Sequence, residues 1–276
     1  MKSITRTGDR LAYQTYGSPD APSLLLLHGL GADHDMWAPQ IESYSTRGYR
    51  LLVPDLRGHG ESVLADPGTI ADWVEDLKAI LDVEGVREYG LLGVSMGGII
   101  AQGLALADRE RLRGLVLCDT FMDLERVGER LLGWTILQSL RVYRILGREQ
   151  LAKLTTSPYK SSPRAAKYFY DATTACNVRQ IVRARKAINR VAHKDNLAHL
   201  DVPTLHLVGE AAGAYFVELN RKVSETMPDS TLVVLPGGTD PSNLVVPELF
   251  DEQVLPFLER VFPDTGVAPE ARYGNQ

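Results

Sequence analysis

The sequence has few cysteines, no long apolar run and no excess of basic residues, and each shortage argues against a class of protein. Two cysteines in 276 residues are too few for a disulfide framework or a cysteine-ligated metal site. The net charge of −5 gives no reason to expect a nucleic-acid partner. The longest apolar runs, such as 24–27, are too short to cross a bilayer. The first residues lack the apolar core of a secretory signal, so we expect a cytoplasmic protein without a membrane partner.

Short β-branched and leucine-rich segments alternate with longer helical segments along most of the chain. This alternation predicts an α/β protein with a mostly parallel sheet and helices on both faces. Strands are expected at residues 3–7, 10–15, 23–27, 50–53, 89–92, 113–118, 203–208 and 231–235. Helices are expected at residues 37–45, 69–81, 95–107, 216–227 and 247–261.

The alternation stops between residues 120 and 200, where only helical periodicity remains. We therefore predict a core formed by residues 1–120 and 201–262, a helical cap insertion at 121–200 and a flexible tail at 263–276. Residues 122–200 carry 15 basic and 6 acidic residues, a balance of +9, against −14 for the rest of the chain.

A stripe of basic residues in this insertion follows helical spacing. Its members are Arg179, Arg183, Lys186 and Arg190. Such a stripe is typical of a solvated helix face. The alternative is a rim that draws an anionic substrate toward a pocket.

Residues 91–98, with the sequence LLGVSMGG, join an apolar strand to GxSxG and to the small-residue start of a helix. This context is that of a nucleophile elbow. The glycines permit a tight turn and close packing of the helix on the strand. The Ser95 hydroxyl would then lie at a helix N-terminus, where the helix dipole favours a developing negative charge.

Two further segments, HGLGADHDMW at 28–37 and DLRGHGES at 55–62, each follow a predicted strand. Together with the elbow they make residues 10–261 resemble the α/β-hydrolase superfamily, in particular its small esterases, enol-lactonases and related lyases. The resemblance implies the α/β-hydrolase fold with a mostly parallel eight-stranded sheet and a cap. It implies that Ser95 is the nucleophile and that the backbone N–H groups of Leu30 and Met96 form the oxyanion hole. His28 and His59 match positions that hold turns in this superfamily.

The resemblance fails at the other two members of the catalytic triad. The superfamily order is serine, then an acid, then histidine. Ala212 stands where the acid is expected, and Asp240 stands where the histidine is expected; no histidine follows His206. A serine needs an adjacent base, and a carboxyl group with an ordinary pKa of about 4 is a weak one. Asp240 would therefore need burial to raise its pKa.

Other residues are candidates for the pocket or for a displaced base. His34 follows the oxyanion segment and is a possible pocket residue, since loops at the ends of strands carry function in this architecture. Asp119, at the end of the sixth strand, could replace the missing acid. We expect His206 to be a core residue, and His193 and His199 to be exposed.

Aromatic residues of the insertion could line an aromatic pocket, although each alone is better explained by packing. They are Trp134, Tyr143, Tyr159, Tyr168, Phe169 and Tyr170. Trp134 and Tyr143 are retained as possible pocket residues.

Three functions are compatible with this pattern. The first is an enzyme without a Ser–His–Asp triad that acts on a small, partly apolar, anionic or aromatic metabolite. It would use lyase, cyclase or C–C bond-forming chemistry of the kind found in biosynthesis, with Ser95 as hydrogen-bond donor and Asp240 as general acid or base. The second is a serine esterase or lactonase whose base is displaced to His34 or His199. The third is a catalytically silent binding protein. We expect a monomer or homodimer without metal or cofactor.

Overall fold

The structure is a computed structural model that describes residues 1–62, 68–124 and 127–263. Within the helical segment, the side chains at 127–129, 132, 143, 144 and 146 lie outside the description. The predicted tail also lies outside the described residues, apart from residue 263.

Eight strands of the described residues form one sheet in the order β1-β2-β4-β3-β5-β6-β7-β8. The strands are β1 (Lys2–Arg6), β2 (Asp9–Tyr16), β3 (Ser23–Leu27), β4 (Arg50–Pro54), β5 (Tyr89–Val94), β6 (Leu112–Cys118), β7 (Thr204–Gly209) and β8 (Ser230–Leu235). The β1–β2 and β2–β4 pairs are antiparallel, and every other pair is parallel. The prediction of a mostly parallel eight-stranded sheet is confirmed.

The central strands β3 and β5 are buried along their whole length because both faces of the sheet are covered. Successive side chains of a strand point to opposite faces. Leu91 accordingly packs in one core layer and Leu92 in the other.

Helices cover the two faces in separate layers. The core helices are α1 (Ala38–Thr46), α2 (Ile70–Val83), α3 (Met96–Ala107), α9 (Ala214–Thr226), α10 (Ser242–Val245) and α11 (Pro247–Val261). α2, α3 and α9 contribute to the layer that contains Leu91, whereas α1 and α11 contribute to the layer that contains Leu92. α2 begins at a capping box in which the side chains of Thr69 and Asp72 each accept a backbone N–H of the other residue.

The segment between β6 and β7 is helical, and we call residues 121–200 the cap segment. Its helices are α4 (Val127–Leu146), α5 (Arg148–Thr156), α6 (Pro163–Ala175), α7 (Val178–Ile188) and α8 (Lys194–Leu197). The cap segment packs on both core layers, through Tyr159 and Ala165 on one face and Ile188 and Leu197 on the other.

The basic stripe of the cap segment faces solvent. Its four residues, Arg179, Arg183, Lys186 and Arg190, are all exposed. This exposure on α7 and on the turn that follows it fits both a solvated face and a charged rim, so the two interpretations stay open. No helix of the described residues combines the length and apolar character needed to span a membrane.

Candidate active site

Ser95 lies at the turn between β5 and α3 in a strained backbone conformation, with φ 54° and ψ −117°. Its backbone N–H donates to the carbonyl of Cys118 at 2.9 Å, and its carbonyl accepts the Thr120 hydroxyl at 2.8 Å. The flanking glycines are required by close approach. A β-carbon on Gly93 would lie 2.5 Å from the Gly97 carbonyl oxygen, and one on Gly97 would lie 2.2 Å from that of Leu27. The GxSxG pattern therefore follows from the space beneath the serine.

The loop after β3 passes directly beside Ser95. A β-carbon on Gly29 would lie 3.4 Å from the Ser95 β-carbon. The N–H of Leu30 has no backbone acceptor among the described residues, and neither does that of Met96, the first residue of α3. Two free N–H groups near one hydroxyl suit the stabilisation of a developing oxyanion. Their assignment as an oxyanion hole stays a prediction.

Asp240 lies in the loop after β8, and its side chain faces the serine. The Ser95 hydroxyl donates to Asp240 Oδ2 at 2.8 Å. The backbone of Asp240 is anchored to the cap segment, since the Tyr159 hydroxyl donates to its carbonyl oxygen at 2.7 Å. The residue expected at the histidine position is thus in direct contact with the residue expected to be the nucleophile.

Asp240 is partly exposed when the whole residue is considered, but its carboxyl group is surrounded by protein atoms. This burial, together with the nearby carboxyl of Asp119, raises the pKa of Asp240 to about 8. The hydrogen bond from Ser95 and the positive charge of Arg185 act in the opposite direction. Asp240 therefore holds a proton at neutral pH and exchanges it close to neutrality, which is the range in which a general acid or base works best.

Asp119 is 1% exposed and serves as an anchor for two loops. Its Oδ1 accepts the N–H of Gly209 at 2.8 Å, and its Oδ2 accepts the N–H of Ser242 at 2.7 Å. Burial raises the pKa of Asp119, and these two hydrogen bonds oppose the rise. Because its oxygens are occupied by backbone N–H groups, Asp119 acts on Asp240 through its charge and does not orient a base.

The position expected for the triad acid carries no replacement. Ala212 ends a short turn, Glu210–Ala212, directly after β7. The turn is fixed by the N–H of Ala211, which donates to the carbonyl of Gly238 at 2.8 Å.

His28 and His59 are buried and hold turns, as the resemblance implied. His28 Nδ1 donates to the Gly29 carbonyl at 2.8 Å, and its Nε2 accepts the N–H of Leu56 at 3.0 Å. Burial lowers the pKa of both rings, that of His59 to about 3.

His34 is tied to Asp55 and has no contact with the serine. Its Nδ1 lies 2.8 Å from Asp55 Oδ1, and that oxygen also accepts the His34 N–H at 2.8 Å. Burial disfavours protonation of His34, but the hydrogen bond with Asp55 and the negative charges of Asp55, Asp35 and Asp33 together outweigh it and raise the pKa of the ring.

The remaining histidines also lie apart from Ser95. His206 is buried and bonds to Asn220 Oδ1 at 3.0 Å, as a core residue. His199 is exposed. The expectation that His193 is exposed is wrong: it packs over α3, its Nδ1 lies 3.2 Å from Gln102 Oε1, and burial lowers its pKa to about 4.

The aromatic residues of the cap segment brace it on the core. Tyr159 stacks on Phe169 with a centroid distance of 4.8 Å, and the Tyr168 hydroxyl donates to Asp33 Oδ1 at 2.9 Å. Trp134 was a candidate pocket residue, but 54% of it is exposed, because α4 turns it to solvent. Tyr170 is also exposed, and the side chain of Tyr143 lies outside the description.

A cavity of about 280 Å³ lies between the cap segment and the loops after β3 and β4. Gly31 and Ala32 line it on the core side, and Cys176 and Ile181 line it on the cap side. The cavity is next to the oxyanion segment but does not include Ser95 or Asp240. Its size is near the lower end for small-molecule sites.

Arg185 is the site residue that the sequence pattern did not reveal. It belongs to α7, its Nε is buried without a hydrogen-bond partner, and its charge acts on Asp240. Burial lowers its pKa to about 10, and Asp240 opposes this shift. Its position one turn after the apolar Ile181 was the available signal, since residues four apart share a helix face.

Comparison with known proteins finds relatives that are named as a lactonase and relatives that are named as a synthase. A family profile described as the alpha/beta hydrolase fold matches residues 22–136, a range that includes Ser95 and ends before Asp240. The chain is 32% identical over 115 residues to 3-oxoadipate enol-lactonase 1 of Acinetobacter baylyi, covering 42% of this chain and 43% of that protein. It is 38% identical over 101 residues to 2-succinyl-6-hydroxy-2,4-cyclohexadiene-1-carboxylate synthase of Salmonella paratyphi C, covering 37% and 39%. The chain thus matches less than half the length of each of these relatives.

A solved structure matches over almost the whole chain. It is a thermophilic esterase from Thermogutta terrifontis, with a TM-score of 0.83, 26% identity, and coverage of 95% of this chain and 99% of that one.

Proposed function

Because the chain belongs to the α/β-hydrolase superfamily, we propose that it is an enzyme of that superfamily which works without a Ser–His–Asp triad. One observation carries the proposal: Ser95 Oγ donates at 2.8 Å to Asp240, a carboxyl group whose pKa is raised to about 8. This pair takes the place of the serine–histidine pair of a hydrolase.

A carboxyl group differs from histidine in the charge that it carries after accepting a proton. Histidine becomes a cation, which stabilises a neighbouring oxyanion, whereas Asp240 becomes neutral and gives no such attraction. With a pKa of about 8, only about a tenth of the molecules have an ionised Asp240 at neutral pH. These properties favour proton exchange with the substrate over activation of a serine nucleophile.

The reaction that suits this arrangement passes through an enolate. The substrate carbonyl oxygen would lie at the N–H groups of Leu30 and Met96, and ionised Asp240 would accept the α-proton through the Ser95 hydroxyl. The enolate would then expel a leaving group, as in a lyase, or attack an electrophilic carbon, as in a cyclase. Asp240 would return its proton to the leaving group or product. The relative named as a synthase supports such an outcome on this fold.

Hydrolysis with a displaced base is the second candidate. The relative named as an enol-lactonase favours it. The geometry does not favour His34 or His199 as the displaced base, because His34 is bound to Asp55 and His199 is exposed. A silent binding protein, the third candidate, predicts ligand binding without turnover.

Labelling with a fluorophosphonate probe separates these functions. We expect wild-type protein to label slowly and to turn over an activated ester no faster than Ser95→Ala. The double variant Ala212→Asp/Asp240→His, which restores triad residue types, should gain both properties. Fast labelling and ester turnover in the wild type, both lost in Ser95→Ala, would instead establish hydrolysis by Ser95.

Deuterium exchange at the α-carbon of small 1,3-dicarbonyl compounds tests proton transfer directly. NMR in deuterated water should show exchange with wild type that Asp240→Asn abolishes. Glu248→Gln, which removes an exposed carboxylate from α11, is the matched control and should exchange like wild type. Equal exchange in wild type and Asp240→Asn would refute the assigned role of Asp240.

A further inference from the structure

Arg185 is a cation that makes no ion pair with any residue that the structure describes. It follows Ala184 on α7 and lies one turn after Ile181, both of which are buried. Its Nε is buried with no hydrogen bond, and the guanidinium makes no ion pair with the described residues. A buried donor without an acceptor is costly, and a buried charge more so.

Arg185 is half-buried, and the two arginines of the described residues that are more deeply buried are neutralised by carboxylates. Arg57 donates from Nε to Asp76 Oδ2 at 2.6 Å and pairs with Asp9 at 2.7 Å. Arg50 pairs with Glu84. Arg185 therefore differs from the buried arginines of the described residues, both of which are paired.

Asp240 is the acidic residue whose charge acts on Arg185, but it does not neutralise the guanidinium. Burial lowers the pKa of Arg185 only to about 10, so the guanidinium is charged at neutral pH. Asp240, whose charge acts on it, holds its own proton at that pH. The positive charge of Arg185 thus has no compensating carboxylate among the described residues.

Arg185 is connected with both parts of the candidate site, with Asp240 through its charge and with the cavity through Ile181 on the same helix. Its charge reaches Asp240, which accepts the Ser95 hydroxyl. Ile181, on the same face of α7, lines the cavity of about 280 Å³. A ligand that extends from the cavity as far as Asp240 would therefore come under the charge of Arg185.

We infer that Arg185 binds a carboxylate group of the substrate and so selects for small carboxylic acids. The planar guanidinium presents paired N–H donors that match the two oxygens of a carboxylate. A single negative charge suits the site better than a phosphate dianion, because the Asp119 carboxylate lies nearby and would repel the second charge. The inference rests on the proposed function and names the substrate class for it.

Binding of model acids tests this role without requiring turnover. The probes are phenylacetate and 3-phenylpropanoate, compared with their neutral amides by isothermal titration calorimetry at neutral pH. Wild type should bind at least one acid about 10-fold or more tightly than its amide, and Arg185→Met should lose that preference, since a hydrogen bond to a charged group carries about 10–100-fold in affinity. Arg185→Lys should retain part of the preference, because it keeps the charge and loses the paired donors.

Lys186→Met is the matched control, because it removes an exposed charge from the adjacent position of α7. It should bind the acids as wild type does. The melting temperature gives a second readout: Arg185→Met should melt at or above the wild-type temperature, since an uncompensated buried charge is removed.

Two results would overturn the inference. One is the absence of any preference for acid over amide in the wild type. The other is an unchanged preference in Arg185→Met. Asp240→Asn separates this inference from the proposed function, because it should abolish deuterium exchange while retaining the preference for acids. Acid binding to Arg185 without Asp240-dependent exchange would refute the proposed function alone.

Discussion

Replacing Asp240 by asparagine should stabilise the protein, and the gain should grow with pH. Asparagine resembles the protonated carboxyl group and cannot ionise. The unfolded chain ionises Asp240 near its ordinary value of 3.8, whereas the folded protein does so at about 8. The stability associated with the raised pKa is therefore fully present in the wild type below about pH 4 and is lost as the pH rises through about 8.

The size of the effect follows from the shift in pKa. A shift of about 4 units corresponds to about 6 kcal/mol if Asp240 carries it alone. Asp119 shares the repulsion, and water can reach part of the residue, so we expect about 3 kcal/mol above pH 8. This increase in the free energy of unfolding corresponds to a rise in melting temperature of about 6–12 °C for a protein of this size.

Urea unfolding of wild type and Asp240→Asn across this pH range provides the assay. The difference in the free energy of unfolding should be smallest at acid pH and largest above pH 8, and titrating groups remote from Asp240 cancel between the two proteins. Glu248→Gln should track wild type throughout, because it removes an exposed carboxylate. A difference that stays constant with pH would refute the raised pKa of Asp240.

Three further substitutions test the surroundings of the site. Gly97→Ala should destabilise the protein by about 2 kcal/mol or more in urea unfolding, because the new β-carbon would lie 2.2 Å from the Leu27 carbonyl oxygen; a loss under 0.5 kcal/mol would contradict this close approach. Tyr159→Phe removes the hydrogen bond to the Asp240 carbonyl and should cost about 1 kcal/mol and slow deuterium exchange; wild-type exchange would show that this anchor does not position Asp240. Trp134→Ser should change the free energy of unfolding by less than about 0.5 kcal/mol and leave acid binding intact, because Trp134 is exposed. A loss of acid binding would show that Trp134 is a pocket residue after all.

Local patterns were sufficient to predict the sheet, and the resemblance to the superfamily placed Asp240 at the position expected for the histidine that contacts Ser95. Ser95 is marked by glycines that the turn beneath it requires, and Asp240 is marked by its place after the last strand. The fold brings these two positions together whatever residues occupy them.

The electrostatic features of the site required the three-dimensional structure. The raised pKa of Asp240 depends on Asp119, which is 121 positions away in sequence and approaches it only when β6 and the loop after β8 are packed. The inward position of Arg185 depends on how α7 sits on the core, and its neighbours in the basic stripe are exposed. Trp134 was misplaced for the same reason, because apolar spacing does not identify which face of α4 is covered.

A carbon-13 NMR titration of the Asp240 carboxyl group, assigned by comparison with Asp240→Asn, tests the central claim most directly. The account predicts a protonated carboxyl group at neutral pH and a titration midpoint of about 8. A midpoint at the ordinary value of about 4 would mean that Asp240 is an ionised carboxylate at neutral pH, and would contradict its assignment as the proton-exchanging group beside Ser95.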